Sequence, residues 1–215
     1  MLVIPDVKIA VLFTPRTGSH TLHNLLWVLC RDRLAIPFQR FQWQLCPTSQ
    51  HGIHLHLSWW YLVQTYPDLD LSDYRAFAFW RDPQDWFLSA LDYMTRKSAT
   101  STKVGIWHKN MSPRAFWESD TNMKRQTSTI ASRFDAPDDI QDIELFSFHD
   151  FNNEIIRLFK ELEVDVTPKM IEDNTILAKG FGDKRVLTDK DKAQIRKYWW
   201  EDYHYLEYKG IELPK

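Results

Sequence analysis

The chain has 215 residues, 44% hydrophobic and 26% charged, which suits one domain with a full core and excludes a disordered composition. A formal net charge of −2 excludes the strongly basic face of a general nucleic-acid binder, so no nucleic-acid partner is expected and any anion must be bound locally. Cys30 and Cys46 stand apart without metal spacing, and Pro5, Asp6 and Lys8 interrupt the apolar N-terminal run. Neither a signal peptide nor a membrane span is expected, and the default is a cytoplasmic protein with no membrane partner.

In chain order, KIAVLF (Lys8–Phe13) reads as a short buried parallel strand that ends at Thr14 and Pro15. Leu22, Leu25, Leu26 and Leu29 then recur at helical spacing, so TLHNLLWVLCRDRL (Thr21–Leu34) is predicted to be an amphipathic helix. HGIHLHL (His51–Leu57) fits a second strand, with His54 and His56 on one face, and a short helix can follow over 58–66. RAFAFW (Arg75–Trp80) fits a third strand, stopped by Arg81, Asp82 and Pro83, and DWFLSALDYMTRK (Asp85–Lys97) has helical periodicity.

Residues 98–140 read as loop plus helices, with a helix start at Ser112 and Pro113. IELFSF (Ile143–Phe148) fits a fourth strand and leads into a helix up to Leu162. A capping signal at Thr188 opens one long amphipathic helix to Tyr208. Strands alternating with helices, without repeats or a dividing linker, predict a single three-layer α/β domain over residues 1–215 with a central parallel sheet.

The stretch FTPRTGSHTLHNLL (Phe13–Leu26) carries the most chemistry. A strand feeding a glycine loop and then a helix offers backbone N–H groups and the positive end of the helix dipole to an anion. A nucleoside-triphosphate loop adds a lysine and a Mg²⁺-binding hydroxyl, GxxxxGK[ST]. With Gly18 aligned to the last glycine of that pattern, Ser19 takes the lysine position and His20 the hydroxyl position, which disfavours ATP or GTP chemistry. The cation stands instead at Arg16, two residues before the glycine.

This arrangement resembles the sulfotransferases that use 3′-phosphoadenosine 5′-phosphosulfate (PAPS), in which such a loop holds the 5′-phosphosulfate. The resemblance implies a P-loop NTPase-like sulfotransferase fold, with Arg16, Thr17, Gly18, Ser19, His20 and Thr21 on the donor. His20 departs from the small hydroxyl residue found there in part of the family. A second match is FAFWRDPQDWFLSALDYM: the family binds the 3′-phosphate with an arginine at a strand end and a serine eight residues later, here Arg81 and Ser89. Read alone, Arg81 and Asp82 would equally fit a helix-start ion pair.

Weaker echoes are NMKRQT (Asn122–Thr127), FSFHDF (Phe146–Phe151), the closing helix with Asp202 and Tyr203, and AKGFGDK (Ala178–Lys184). The last resembles a nucleotide-touching segment and places Lys179 and Gly180 on the donor. NMKRQT and the closing helix lean toward the family's carbohydrate-type members.

The activity so implied is sulfuryl transfer from PAPS to an acceptor hydroxyl on a carbohydrate or small molecule, with no metal required. Transfer of this kind needs the donor positioned, charge on the bridging oxygen neutralised and the acceptor proton removed. Arg16 is the candidate for the second task. For the third, a histidine from the second strand is expected, His56 before His54 or His51.

Rival readings remain: a nucleotide or small-molecule kinase with a divergent loop, a metal hydrolase using His51, His54 and His56, and a non-catalytic adenine-nucleotide binder. Residues 95–117 could form a lid, with Trp107, Lys103 and Lys109 at the acceptor, and Trp59 and Trp60 could line the same pocket, or these charges and rings could serve only solvation and the core.

Overall fold

The computed structural model describes residues 2–34, 73–100, 110–119, 143–175 and 185–213. The expected strand at His51–Leu57, the helix at 58–66, NMKRQT and AKGFGDK lie outside the described residues. The strands are β1 (Leu2–Ile4), β2 (Ile9–Leu12), β3 (Arg75–Trp80) and β4 (Ile143–Ser147). The helices are α1 (Ser19–Cys30), α2 (Pro83–Thr100), α3 (Pro113–Glu118), α4 (Phe151–Glu161), α5 (Pro168–Asn174), α6 (Asp189–Tyr198) and α7 (Trp200–Tyr208). None of these is long and apolar enough to cross a membrane. Contacts divide the chain into two compact units, Met1–Trp80 with Gln126–Ile176, and Arg81–Arg125 with Leu177–Lys215.

Among the described residues, the first unit holds a four-stranded sheet of order β1-β2-β3-β4. β2, β3 and β4 run parallel, in the register Leu12↔Ala78 and Phe79↔Phe146. β1 is antiparallel to β2, with Leu2 opposite Val11 and Ile4 opposite Ile9. The sheet is therefore mixed, where the sequence pattern predicts a parallel one.

The difference lies in Pro5. It does interrupt the apolar run, but as the first residue of a tight turn over Pro5–Val7, where its fixed φ is an asset. Lys8 closes the turn at φ 53, ψ 48, and its N–H donates to the Pro5 carbonyl at 3.1 Å. The two halves of one apolar run thus fold back on each other.

Alternation along the strands sends Leu2, Ile4, Ile9, Val11, Phe13, Phe77, Phe79 and Phe146 into one core. Onto it pack Leu22, Leu25 and Leu26 of α1, Ile155, Leu158 and Phe159 of α4, and Ile171 of α5. The alternate set, Val3, Ala10, Leu12, Ala76, Ala78 and Ile143, is buried as well, as expected for strands covered on both faces. At the other end of β3 and β4, charge is confined to the surface: Arg75 pairs with Glu161 at 2.7 Å, and Glu144 also takes up Arg157, whose guanidinium lies 4.2 Å over the Phe146 ring. Such half-exposed pairs add little stability and mainly keep a sheet edge polar.

The second unit is helical and aromatic. Trp199, fully buried, lies 5.0 Å from Trp117, 5.8 Å from Phe87, 6.1 Å from Phe116 and 6.3 Å from Trp86, between ring centroids. Trp199 also divides the predicted C-terminal helix: at φ −102, ψ 26 it leaves helical geometry for one residue, and α6 ends where α7 begins. Hydrogen bonds continue on either side, from Trp199 N–H to the Ile195 carbonyl and from Tyr203 N–H to the Trp199 carbonyl. The start of α6 is fixed by a capping box between Thr188 and Asp191, and Arg185 adds an ion pair to Asp191 at 2.7 Å. α3 starts as predicted, with Ser112 as cap and Pro113 in its first turn.

Candidate functional site

The loop leaves β2 at its C-terminal end, where ligands of open α/β sheets commonly bind. Because β2 and β3 are parallel neighbours in register, Thr14 and Trp80 lie at the same sheet edge. Thr14 is fully buried and donates its hydroxyl to the Phe79 carbonyl, tying the start of the loop to β3. Thr17, also buried, donates to the Thr14 carbonyl at 2.9 Å, with its hydroxyl equally 2.9 Å from that of Thr14. A buried hydroxyl chain thus clamps the loop from inside.

Between and after these anchors the backbone turns left-handed twice, at Arg16 (φ 65) and Gly18 (φ 75). Glycine takes such a φ freely; arginine does so only when its surroundings hold it there, and residues held this way cluster at functional sites. Two positive-φ residues within three positions are the kind of backbone from which anion nests are built.

Gly18 is also the N-cap of α1, with no side-chain cap hydrogen bond and no acidic residue in the first turn. The first bond along the helix is Leu22 N–H to the Gly18 carbonyl at 3.1 Å, so the amides of Ser19, His20 and Thr21 occupy the donor positions a helix start presents. α3, α5 and α6 instead close their starts with Ser112, Thr167 and Thr188 side chains.

Ser19 and Thr21 are buried, and His20 is exposed. Desolvation of the His20 ring, then the Arg16 charge, push its pKa below the ordinary imidazole value even though part of the ring stays open to water. Arg16, Thr17, Gly18, Ser19, His20 and Thr21 all fall in one turn and the helix start that follows it.

Phe148 and Phe151, which sequence reasoning did not place at the site, back the loop: a Cβ on Gly18 would fall on Phe151 Cε2 and Cζ and lie 3.2 Å from Phe148 Cε2. The signal was the aromatic pair in FSFHDF, seen there only as an echo of a helix start.

Arg81 and Ser89 belong to the second unit. Asp82 is the cap of α2: its Oδ1 accepts from the amides of Gln84 at 2.8 Å and Asp85 at 3.2 Å, and its carbonyl accepts from Trp86 N–H at 2.8 Å. With Pro83 at the first helical position, the Asp-Pro half of Arg-Asp-Pro is explained by helix initiation alone. That leaves Arg81 as the cation of the motif, half-buried, its pKa lowered by burial against the opposing pull of Asp85 and Asp82. Ser89 lies one helical turn beyond Asp85 and is likewise half-buried.

His51, His54, His56, Trp59, Trp60, Trp107, Lys103, Lys109, Lys179 and Gly180 lie outside the described residues. Of the expected lid over 95–117, residues 95–100 are the end of α2, and 110–117 are partly committed to the core of the second unit: Phe116 is fully buried and Trp117 stacks on Tyr198 at 6.0 Å. Comparison of the chain with family models, curated proteins and solved structures finds no match.

Proposed function

We propose that the protein is a PAPS-dependent sulfotransferase of P-loop-like α/β fold, transferring the sulfuryl group to an acceptor hydroxyl on a carbohydrate or small molecule. The observation that carries this reading is the loop itself: a cation held in left-handed backbone at Arg16, two residues before the glycine that caps a helix start, with serine where a triphosphate-binding loop needs lysine. Arg81 at the end of β3, eight residues before Ser89, supports it as the place for a second phosphate.

PAPS would supply an activated sulfuryl group on a phosphate leaving group. The first-turn amides of α1 and the Ser19 and Thr21 hydroxyls would orient the 5′-phosphosulfate. Arg16 would neutralise charge on the bridging oxygen as the bond from sulfur to that oxygen breaks and the bond from sulfur to the acceptor oxygen forms. The acceptor proton would pass to a base, for which His56, His54 and His51 are the candidates.

Calorimetric titration with 3′-phosphoadenosine 5′-phosphate, beside ATP with Mg²⁺ and repeated on Arg81→Ala, tests this. Tight binding of the bisphosphate that the substitution weakens, with little response to ATP, is the expected result. Absence of bisphosphate binding refutes the reading, and binding of ATP with Mg²⁺ instead would favour the kinase alternative.

A further inference from the structure

We draw no further inference here: the strongest candidate, the surface patch of exposed rings that Trp200, His204 and Tyr208 form at helical spacing along α7, carries nothing, because nothing in the structure shows what covers it.

Discussion

Replacing Gly18 by alanine separates the two demands the loop makes on that position. The first is conformational: at φ 75 an L-residue costs about 1–2 kcal/mol relative to glycine. The second is steric, since the new methyl would meet Phe151 Cε2 and Cζ, with Phe148 Cε2 3.2 Å away. Phe151 has little room to retreat, because its ring lies 5.1 Å from that of Phe79 and 5.3 Å from that of Phe148. Moving it against those neighbours should cost a further ~1–3 kcal/mol, giving a total of roughly 2–5 kcal/mol.

Gly210 provides the reference: it has the same φ of 75 and nothing within 4 Å of a built Cβ, so alanine there should show strain alone. Urea unfolding followed by circular dichroism, with Gly18→Ala placed in the natural and in the Phe151→Leu background, reads the two costs apart. The smaller side chain should reduce the cost of the alanine by about 1 kcal/mol or more, a coupling expected only for groups in contact. A Gly18→Ala loss that is the same in both backgrounds, or no larger than that of Gly210→Ala, would refute the proposed clash.

Trp199→Ala should destabilise the second unit by about 3–5 kcal/mol, read as a lowered urea midpoint; a loss below ~1 kcal/mol would show that the ring cluster does not hold that unit together. Thr14→Val removes the donor to the Phe79 carbonyl and strands the Thr17 hydroxyl on one acceptor, for an expected loss of about 1–3 kcal/mol, checked in the same way. Burial alone would raise the Asp191 pKa, but Arg185 and the Thr188 bonds outweigh it and hold it below the usual carboxylate value. Its contribution is therefore present above that value and lost as pH falls through the lowered one, so the acid limb of a melting-temperature profile should be shallower in Asp191→Asn. His20, with a lowered folded pKa, binds protons more readily when unfolded, so it makes stability rise with pH between its folded value and the ordinary one. An NMR titration should place its midpoint below that of free imidazole, and a midpoint at or above it would contradict the desolvation of the ring beside Arg16.

Period-two and helical patterns were enough to locate β3, β4, α1, α2 and α4, because each has one face that the core must accept. What they missed has a local cause. β1 was hidden because Leu2–Ile4 and Ile9–Leu12 read as one run broken by Pro5, and only pairing across the turn distinguishes an interruption from a hairpin. α5 begins at Thr167–Pro168, a cap pair like Ser112–Pro113, but Ile171 is the only fully buried side chain of its seven residues, too little for a periodic signal. The division at Trp199 is a tertiary effect: a one-residue departure from helical geometry, at the residue whose indole fills the core of the second unit.

The motif TPRTGSHT was legible as a unit, yet its residues do different work. Thr14 and Thr17 turn their hydroxyls inward to the protein, and Gly18 is required by backbone shape and by Phe151, so these three specify the loop whether or not anything binds. Arg16, Ser19, His20 and Thr21 are the ones that the proposed function assigns to the donor. The same split runs through Arg-Asp-Pro, where Asp82 and Pro83 start α2 and Arg81 is the residue that the proposed function assigns to a phosphate. A sequence motif cannot separate the two kinds of residue, because both depend on the same spacing, but stability and binding can. Variants of Thr14, Thr17 and Gly18 should move the urea midpoint, and Arg16→Ala should relieve its left-handed strain little while weakening anion binding. If Arg16→Ala lowered stability as much as Thr14→Val and left bisphosphate affinity intact, the arginine would be another part of the clamp, and the loop would lose its claim to a donor.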